Sequence, residues 1–450
     1  MENIQADTLS EALPLQEKTL LIQGQEEIPT REEFYTSYPF FKYWKGGNAA
    51  QALAPAGINI YMHIPFCKQI CDYCFYMKEL VKSKSQVDQY VDSLCEEIRL
   101  VSEMYGLKNR RVDSIYIGGG TPSVLTEQQF RKVIDTLHKY HTLDKPEFTF
   151  EAEPGTFTRT KLLWYKENGV TRISMGVQSF VDSIIQLSNR HHTAAQAINS
   201  IAMVKEEGGF SINVDLLSGL AGENMDTWNE SLNIAMAQPL DMLTIYKMKA
   251  YSNTVFFKKG VHKDDIKLPD ANEEIGYMRY ALHRLQDSGF QRWTTFAFTN
   301  NAYRHKYLEN TWRGEDLIAY GASAFGKIGN VNYQNINDIT SYCKKVSEKQ
   351  MPVYRTYKLS YKDRIVKELL LCSARLSSYS KKEFIEKFGF DYFNLVPDVI
   401  KELKDKGYIT DNTEELCLTE QGVLFGDFVS KVLASSVKNV LGKDNIGFIY

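Results

Sequence analysis

The sequence predicts an α/β fold built on a parallel, barrel-like sheet, and three observations point there. Short apolar strand-like runs alternate with amphipathic helical segments six times between residues 58 and 248. The segments closing those strands carry glycine, cysteine and carboxylates, as ligand loops do at the C-terminal ends of parallel strands. With 450 residues the chain also exceeds the size at which a single core keeps growing, so more than one domain is expected.

The elements follow in order. INIYMHI reads as the first strand, followed by a cysteine-bearing loop and the helix SQVDQYVDSLCEEIRLVSEMYG. VDSIYIGG and the helix TEQQFRKVIDTLHKYH form the second unit. EFTFEAEP with a helix near Lys161 to Glu167, and RISMGVQSF with a helix over Ala194 to Glu207, give the third and fourth. FSINVDLLSGL, a helix at Met225 to Ala237 and the strand DMLTIYKM complete the set. Asp270 to Gly289 reads as a further helix, ahead of the glycine-rich LIAYGASAFGKIGN. From Tyr361 the pattern becomes helix, helix, helix, the hairpin-like YITDNTEELCLTEQG and a closing helix at Leu424 to Ala434. That order suggests a small winged-helix-like domain. The expected boundaries are an N-terminal extension or lid over 1–55, the barrel with its flanking α/β segment over 56–350, and a C-terminal helical domain over 351–450.

Bulk properties exclude several classes. A net charge of -3 leaves no electrostatic footprint for nucleic acid or an anionic membrane. No apolar run approaches the ~20 residues that span a bilayer, and the polar, acidic start lacks a signal peptide's basic and apolar regions. The cytoplasm is the expected compartment. The N-terminal extension carries an aromatic patch, Phe34, Tyr35, Tyr38, Phe40, Phe41, Tyr43 and Trp44, readable as a packing lid or a substrate platform.

Seven cysteines are present, and Cys67, Cys71 and Cys74 fall within eight residues. A tight cluster in a cytosolic chain reads as metal binding or redox chemistry, and the scattered Cys95, Cys343, Cys372 and Cys417 read as small buried hydrophobes. Cubane iron–sulfur clusters normally take four thiolates. The spacing Cys67-x3-Cys71-x2-Cys74 offers three, which leaves one iron open to chelate the amino and carboxylate groups of S-adenosylmethionine (SAM). A zinc site is the alternative, since zinc wants four ligands and His63 is a candidate fourth.

With the flanking runs YMHIPFCKQICDYCFY, IGGGTPS, FEAEPGT, ISMGVQSF and NVDLLSGL, the chain resembles the radical SAM family of oxygen-independent coproporphyrinogen III oxidase-like proteins. The likeness runs from about Ile58 to Asn335, and LTEQGVLFGDFVSKVL resembles that family's C-terminal domain. It implies a partial (β/α)6 barrel with a C-terminal helical domain, a [4Fe-4S] cluster on Cys67, Cys71 and Cys74, and two SAM molecules beside it. By the same resemblance, Tyr61 contacts the cluster-bound SAM, Glu151 hydrogen-bonds it, Gly119 admits its amino and carboxylate groups and Phe325 packs near its adenine. Tyr73, Gly120, Thr121, Gln178, Arg190, Asp215 and Lys247 match the second-SAM site. Tyr61, Glu151 and Asp215 are the catalytic candidates.

The chain departs from the oxidase at Tyr76, where that enzyme has a fourth cysteine. The N-terminal FYTSYPFFKYWKGG is aromatic and only lightly basic, a poor match for a tetra-acid. Members without the oxidase features resemble class C radical SAM methyltransferases and cyclopropanases. The resemblance therefore implies transfer of a SAM-derived methyl or methylene carbon to an sp2 carbon of an unsaturated substrate. Its alternatives are coproporphyrinogen III oxidative decarboxylation, heme degradation and heme chaperoning. The expected partners are an unsaturated or tetrapyrrole small molecule and an electron donor such as flavodoxin or ferredoxin.

Overall fold

The computed structural model describes residues 20–22, 25–27, 37–47, 53, 57–261, 263, 265–300, 303–373, 375–376, 378–410 and 412–442. They fall into two compact units: 42–270 with 296–359, and 1–41 with 271–295 and 360–450. Phe34 and Tyr35 of the aromatic patch lie outside the described residues.

The larger unit carries the predicted alternation. Strand β1 (Ile58–Ile64) precedes α1 (Lys84–Tyr105), β2 (Val112–Gly119) precedes α2 (Glu127–Tyr140), and β3 (Glu147–Glu151) precedes α3 (Arg159–Glu167). Then come β4 (Arg172–Gln178), α4 (Ala194–Glu207), β5 (Ser211–Ser218), α5 (Met225–Met236) and β6 (Met242–Lys247). The strands are buried on both faces: in β1 every residue but Tyr61 is buried, with Ile58, Ile60, Met62 and Ile64 alternating with Asn59, Tyr61 and His63. Helix α1 places Val87, Tyr90, Val91, Leu94, Ile98 and Val101 on one buried stripe. Its N-terminus is capped by Ser83, whose hydroxyl accepts from Gln86 N, and Thr126 and Thr193 begin α2 and α4 with full capping boxes.

Strands β1 to β6 pair in parallel in sequence order. The unit continues with β7 (Ala297–Thr299), α6 (Lys306–Trp312), β8 (Asp316–Tyr320), β9 (Phe325–Ile328), β10 (Val331–Asn335), α7 (Ile339–Ser347) and β11 (Val353–Lys358). In space the order is β7-β6-β5-β4-β3-β2-β1-β8-β9-β10-β11. Strand β8 joins β1 in parallel, while β7 on β6 and β9 to β11 add antiparallel margins. The parallel part curls. Strands β2 and β6 are four steps apart, about 19 Å in a flat sheet, yet the short α6 packs Tyr307 4.8 Å from Tyr116 of β2 and Trp312 5.5 Å from Phe296, itself 5.2 Å from Tyr246 of β6.

The floor of this curl is closed by the segment entering α6. Glu147, the first residue of β3, accepts from the Tyr303 hydroxyl (2.8 Å), Lys306 N (2.9 Å) and Tyr307 N (3.0 Å). His305 lies beside it, its Nε2 3.3 Å from Thr149 Oγ1 and 3.5 Å from Glu147. Asn59 Oδ1 accepts from Ser114 Oγ (2.6 Å) and Asn310 Nδ2 (2.9 Å), and the Tyr307 ring packs 4.8 Å from Tyr116.

The smaller unit holds the helices Ala271–Asp287, Tyr361–Glu368, Lys381–Phe388, Pro397–Asp405 and Gly426–Leu441. The expected hairpin is present as one bridge, Ile409 to Leu418. The strand Glu415–Cys417 takes its main partner from elsewhere, pairing antiparallel with Ser378–Ser380 just ahead of the helix Lys381–Phe388. Among the described residues no helix is long and apolar enough to cross a membrane.

Candidate active site

The three clustered cysteines follow β1 in a loop that is clasped at its base. Phe66–Cys67 pairs in parallel with Glu79–Leu80; Glu79 N donates to Pro65 O (2.7 Å) and Val81 N to Cys67 O (3.0 Å). The loop after β2 binds the same stretch, through Gly120 N to Ile64 O and Thr121 N to Phe66 O, both 2.8 Å. Cys67 therefore sits on regular backbone, while Cys71 and Cys74 stand on the open part of the loop, Cys74 N bonding Cys71 O (3.1 Å).

Glycine is required where these loops meet. A Cβ on Gly120 would fall 2.8 Å from Phe66 O, 2.9 Å from Ile64 O and 3.0 Å from Cys67 Sγ. Gly119 has φ of 116°, and a Cβ there would lie 2.5 Å from the His63 ring. Burial pushes the Cys67 thiol up to about 12, and burial likewise raises Cys74. Such thiols do not ionise alone at neutral pH, so deprotonation is coupled to metal binding.

These residues fit an iron–sulfur cluster better than a single zinc. Among the described residues no group of three or more His, Cys, Asp or Glu side chains gathers as ligands of one ion do, whereas a cubane takes each thiolate on a separate iron. His63, the candidate fourth zinc ligand, is committed at both ring nitrogens: Nδ1 lies 2.9 Å from the Tyr61 hydroxyl and Nε2 2.9 Å from Met77 O. A carbonyl only accepts, so Nε2 carries the proton and Nδ1 accepts from Tyr61. Burial lowers the His63 pKa to about 4, keeping the ring neutral. Tyr76, in the position of the oxidase's fourth cysteine, stacks on Phe75 with centroids 4.3 Å apart.

The other expected residues gather largely at the same strand ends. Tyr61 ends in the His63 bond. The Glu151 carboxylate accepts from Tyr116 OH (2.6 Å) and Gly119 N (2.9 Å), and burial pushes it up to about 7 against those two bonds. Asp215 accepts from Asn213 Nδ2 (2.8 Å) and Ser174 Oγ (3.4 Å), and burial raises it too. Thr121 is buried, its hydroxyl 3.4 Å from Glu153. Tyr73 packs against Phe256 beside Val181, Leu220 and Met248. Gln178 ends β4 with φ of 70°, a strained value for a non-glycine residue. Lys247 ends β6. Phe325 begins β9, four residues after Gly321, where a Cβ would touch His63 O at 2.6 Å; its ring stands edge-on to Trp44 at 6.1 Å.

Arg190, which the resemblance places at the second-SAM site, is the best-engaged of these side chains. Beside His191 and His192 it also reads as a solvated helix face, yet its side chain is only 6% exposed. The guanidinium donates to Tyr73 OH (2.8 Å), Cys71 Sγ (3.3 Å) and Gly176 O (2.6 Å) and pairs with Glu153 (3.1 Å). Glu153 itself was missed, although its place two residues beyond Glu151 puts both carboxylates on one side of an extended chain.

Comparison with known proteins agrees with this geometry. The model of the radical SAM superfamily matches residues 61–235. The heme chaperone HemW of Bacillus subtilis (strain 168) is 30% identical over 373 residues, covering 82% of this chain and 97% of that protein. The oxygen-independent coproporphyrinogen III oxidase of Salmonella typhimurium is 27% identical over 404 residues, covering 83% and 88%. The structure of coproporphyrinogen III oxidase from Escherichia coli superposes with a TM-score of 0.77 over 89% of this chain and 97% of that one, at 21% identity, which speaks for the fold.

Proposed function

Because the chain belongs to the oxygen-independent coproporphyrinogen III oxidase-like family of radical SAM proteins, we propose that it cleaves SAM reductively and handles a heme-type tetrapyrrole. The family implies a [4Fe-4S] cluster and SAM. Bound by Cys67, Cys71 and Cys74, such a cluster supplies the electron that splits the SAM sulfonium into methionine and a 5′-deoxyadenosyl radical.

The observation that supports an open cluster corner is the commitment of the nearest protein alternatives. Both nitrogens of His63 are bonded, and a tyrosine stands at position 76. Beside the loop, Gly119 and Gly120 leave no room for a side chain, their N–H groups taken by Glu151 and Ile64 O, and Glu151 presents a carboxylate whose proton occupancy changes near neutrality. The preference for a heme-type ring over a tetra-acid draws on Arg190. That arginine is engaged with Glu153, Gly176, Tyr73 and Cys71, so it is poorly disposed to clamp a propionate. It also draws on the relative named as a heme chaperone. The preference for carbon transfer finds no support in the relatives reported above.

Anaerobic reconstitution followed by two titrations tests the reading. The expected protein is brown, releases 5′-deoxyadenosine from SAM with dithionite, and binds heme one to one. A colourless product or an inert cluster sinks the first part; absence of saturable heme binding, or decarboxylation of coproporphyrinogen III, sinks the second. Carbon transfer remains the second reading. It requires deuterium from methyl-labelled SAM to appear in 5′-deoxyadenosine.

A further inference from the structure

We propose that Arg190 and Glu153 act as an opposed charge pair that sets the reduction potential of the cluster through Cys71. The proposal rests on the cluster assignment above and adds a role for two residues of this chain toward it. Here Arg190 is a positioning residue that acts through the Cys71 sulfur.

The segment carrying Arg190 is fastened to the cysteine loop before its side chain turns inward. Asp72 N donates to Ser188 O (3.2 Å), and Asn189 Nδ2 donates to Ile70 O (3.0 Å). From that anchorage one guanidinium nitrogen, Nη1, reaches both Cys71 Sγ at 3.3 Å and Tyr73 OH at 2.8 Å. The other, Nη2, is held from behind by Gly176 O at 2.6 Å and Glu153 at 3.1 Å. A planar, always-charged group gripped on one edge presents the other edge in a fixed direction. That direction is the sulfur of the middle ligand.

Adding an electron makes a cluster more negative. A buried cation and an N–H donor at a ligand sulfur stabilise the reduced form, since cluster potentials follow net charge, hydrogen bonds to sulfur and exposure. The side chain is 6% exposed, so little water screens its charge. Glu153 works in the opposite sense. Its carboxylate partly cancels the guanidinium charge and lies 3.4 Å from the hydroxyl of Thr121, whose backbone N–H bonds Phe66 O beside Cys67. Removing either charge should therefore move the potential, and the two removals should move it in opposite directions. A purely structural role predicts no such change of sign.

The test is a potentiometric titration, followed by electron paramagnetic resonance without SAM, of the reconstituted wild type and the variants Arg190→Gln, Arg190→Lys and Glu153→Gln. Arg190→Gln should lower the midpoint by ~59 mV or more, the equivalent of a tenfold change in a one-electron equilibrium. Glu153→Gln should raise it, and Arg190→Lys should fall between wild type and Arg190→Gln. Should Arg190→Gln fail to retain iron, the sign of the Glu153→Gln shift decides. Unchanged midpoints in variants with full iron content, or shifts of the same sign, overturn the proposal. A wild type that assembles no cluster overturns the cluster assignment instead.

Discussion

At their C-terminal ends, the first three parallel strands lead into Cys67, the Gly119-Gly120 pair and the Glu151–Glu153 carboxylates. At their N-terminal ends the same strands carry Asn59, Ser114 and Glu147, bonded to one another or to the segment entering α6. The floor uses medium-sized polar side chains that saturate each other. The mouth uses glycines that remove bulk, thiols too buried to ionise alone and a carboxylate poised near neutral pH. One sheet thus separates stability from chemistry by strand end, as parallel α/β architectures do.

The comparison breaks first if the mouth proves dispensable. Cys67→Ala should eliminate cluster iron and 5′-deoxyadenosine formation while leaving the far-ultraviolet spectrum unchanged. Cys95→Ala, remote from the loop with its sulfur 3.7 Å from Lys132 O, should leave both readouts at the wild-type level. Gly120→Val comes next. Its added carbons meet backbone carbonyls, a clash of about 1–3 kcal/mol, so iron occupancy should drop sharply when measured against total protein. Glu147→Ala probes the floor. Leaving Tyr303 and two backbone N–H groups unpaired should lower the urea-unfolding free energy by roughly 2–3 kcal/mol, with cluster content intact. Iron loss in this variant would show that the two ends are not separate.

Acid should act on both ends. His63 at the mouth has its pKa depressed by burial to about 4, and His305 at the floor is depressed by burial as well. A histidine kept neutral stabilises the fold above its unfolded value of about 6.5, and that stability is lost as pH falls toward the folded value. His63 alone should account for about 2 kcal/mol between pH 7 and 5. Burial raises the Glu151 carboxyl to about 7, which adds stability over the same fall in pH, so the check is a comparison: His63→Gln should lose less stability than the wild type between pH 7 and 5, and parallel urea profiles would contradict the buried, neutral assignment.

Much of this plan is legible in the chain itself. The strand and helix periods locate β1 to β6 and their helices within a few residues, and three cysteines in eight residues announce the loop. Local patterns fail where a contact depends on distant chain. Arg190 is followed by two histidines and looks solvated; only folding reveals the carbonyl, carboxylate and sulfur around it. The floor residues Tyr303 and His305 lie in a stretch with no clear period, and their contacts with Glu147 depend on chain far away in sequence. The pairing of Ser378–Ser380 with Glu415–Cys417 is likewise invisible locally, since each strand is three residues long.

The clasp at the base of the cysteine loop has a consequence for how the metal comes and goes. The two-residue ladder, with Glu79 N on Pro65 O and Val81 N on Cys67 O, holds the ends of the 68–78 segment together through backbone alone. The entropy of loop closure is thus borne by the polypeptide and not by the incoming metal. Stripping the cluster should leave a folded vessel that refills on adding iron and sulfide, unlike small metallodomains that unravel when their ion is chelated.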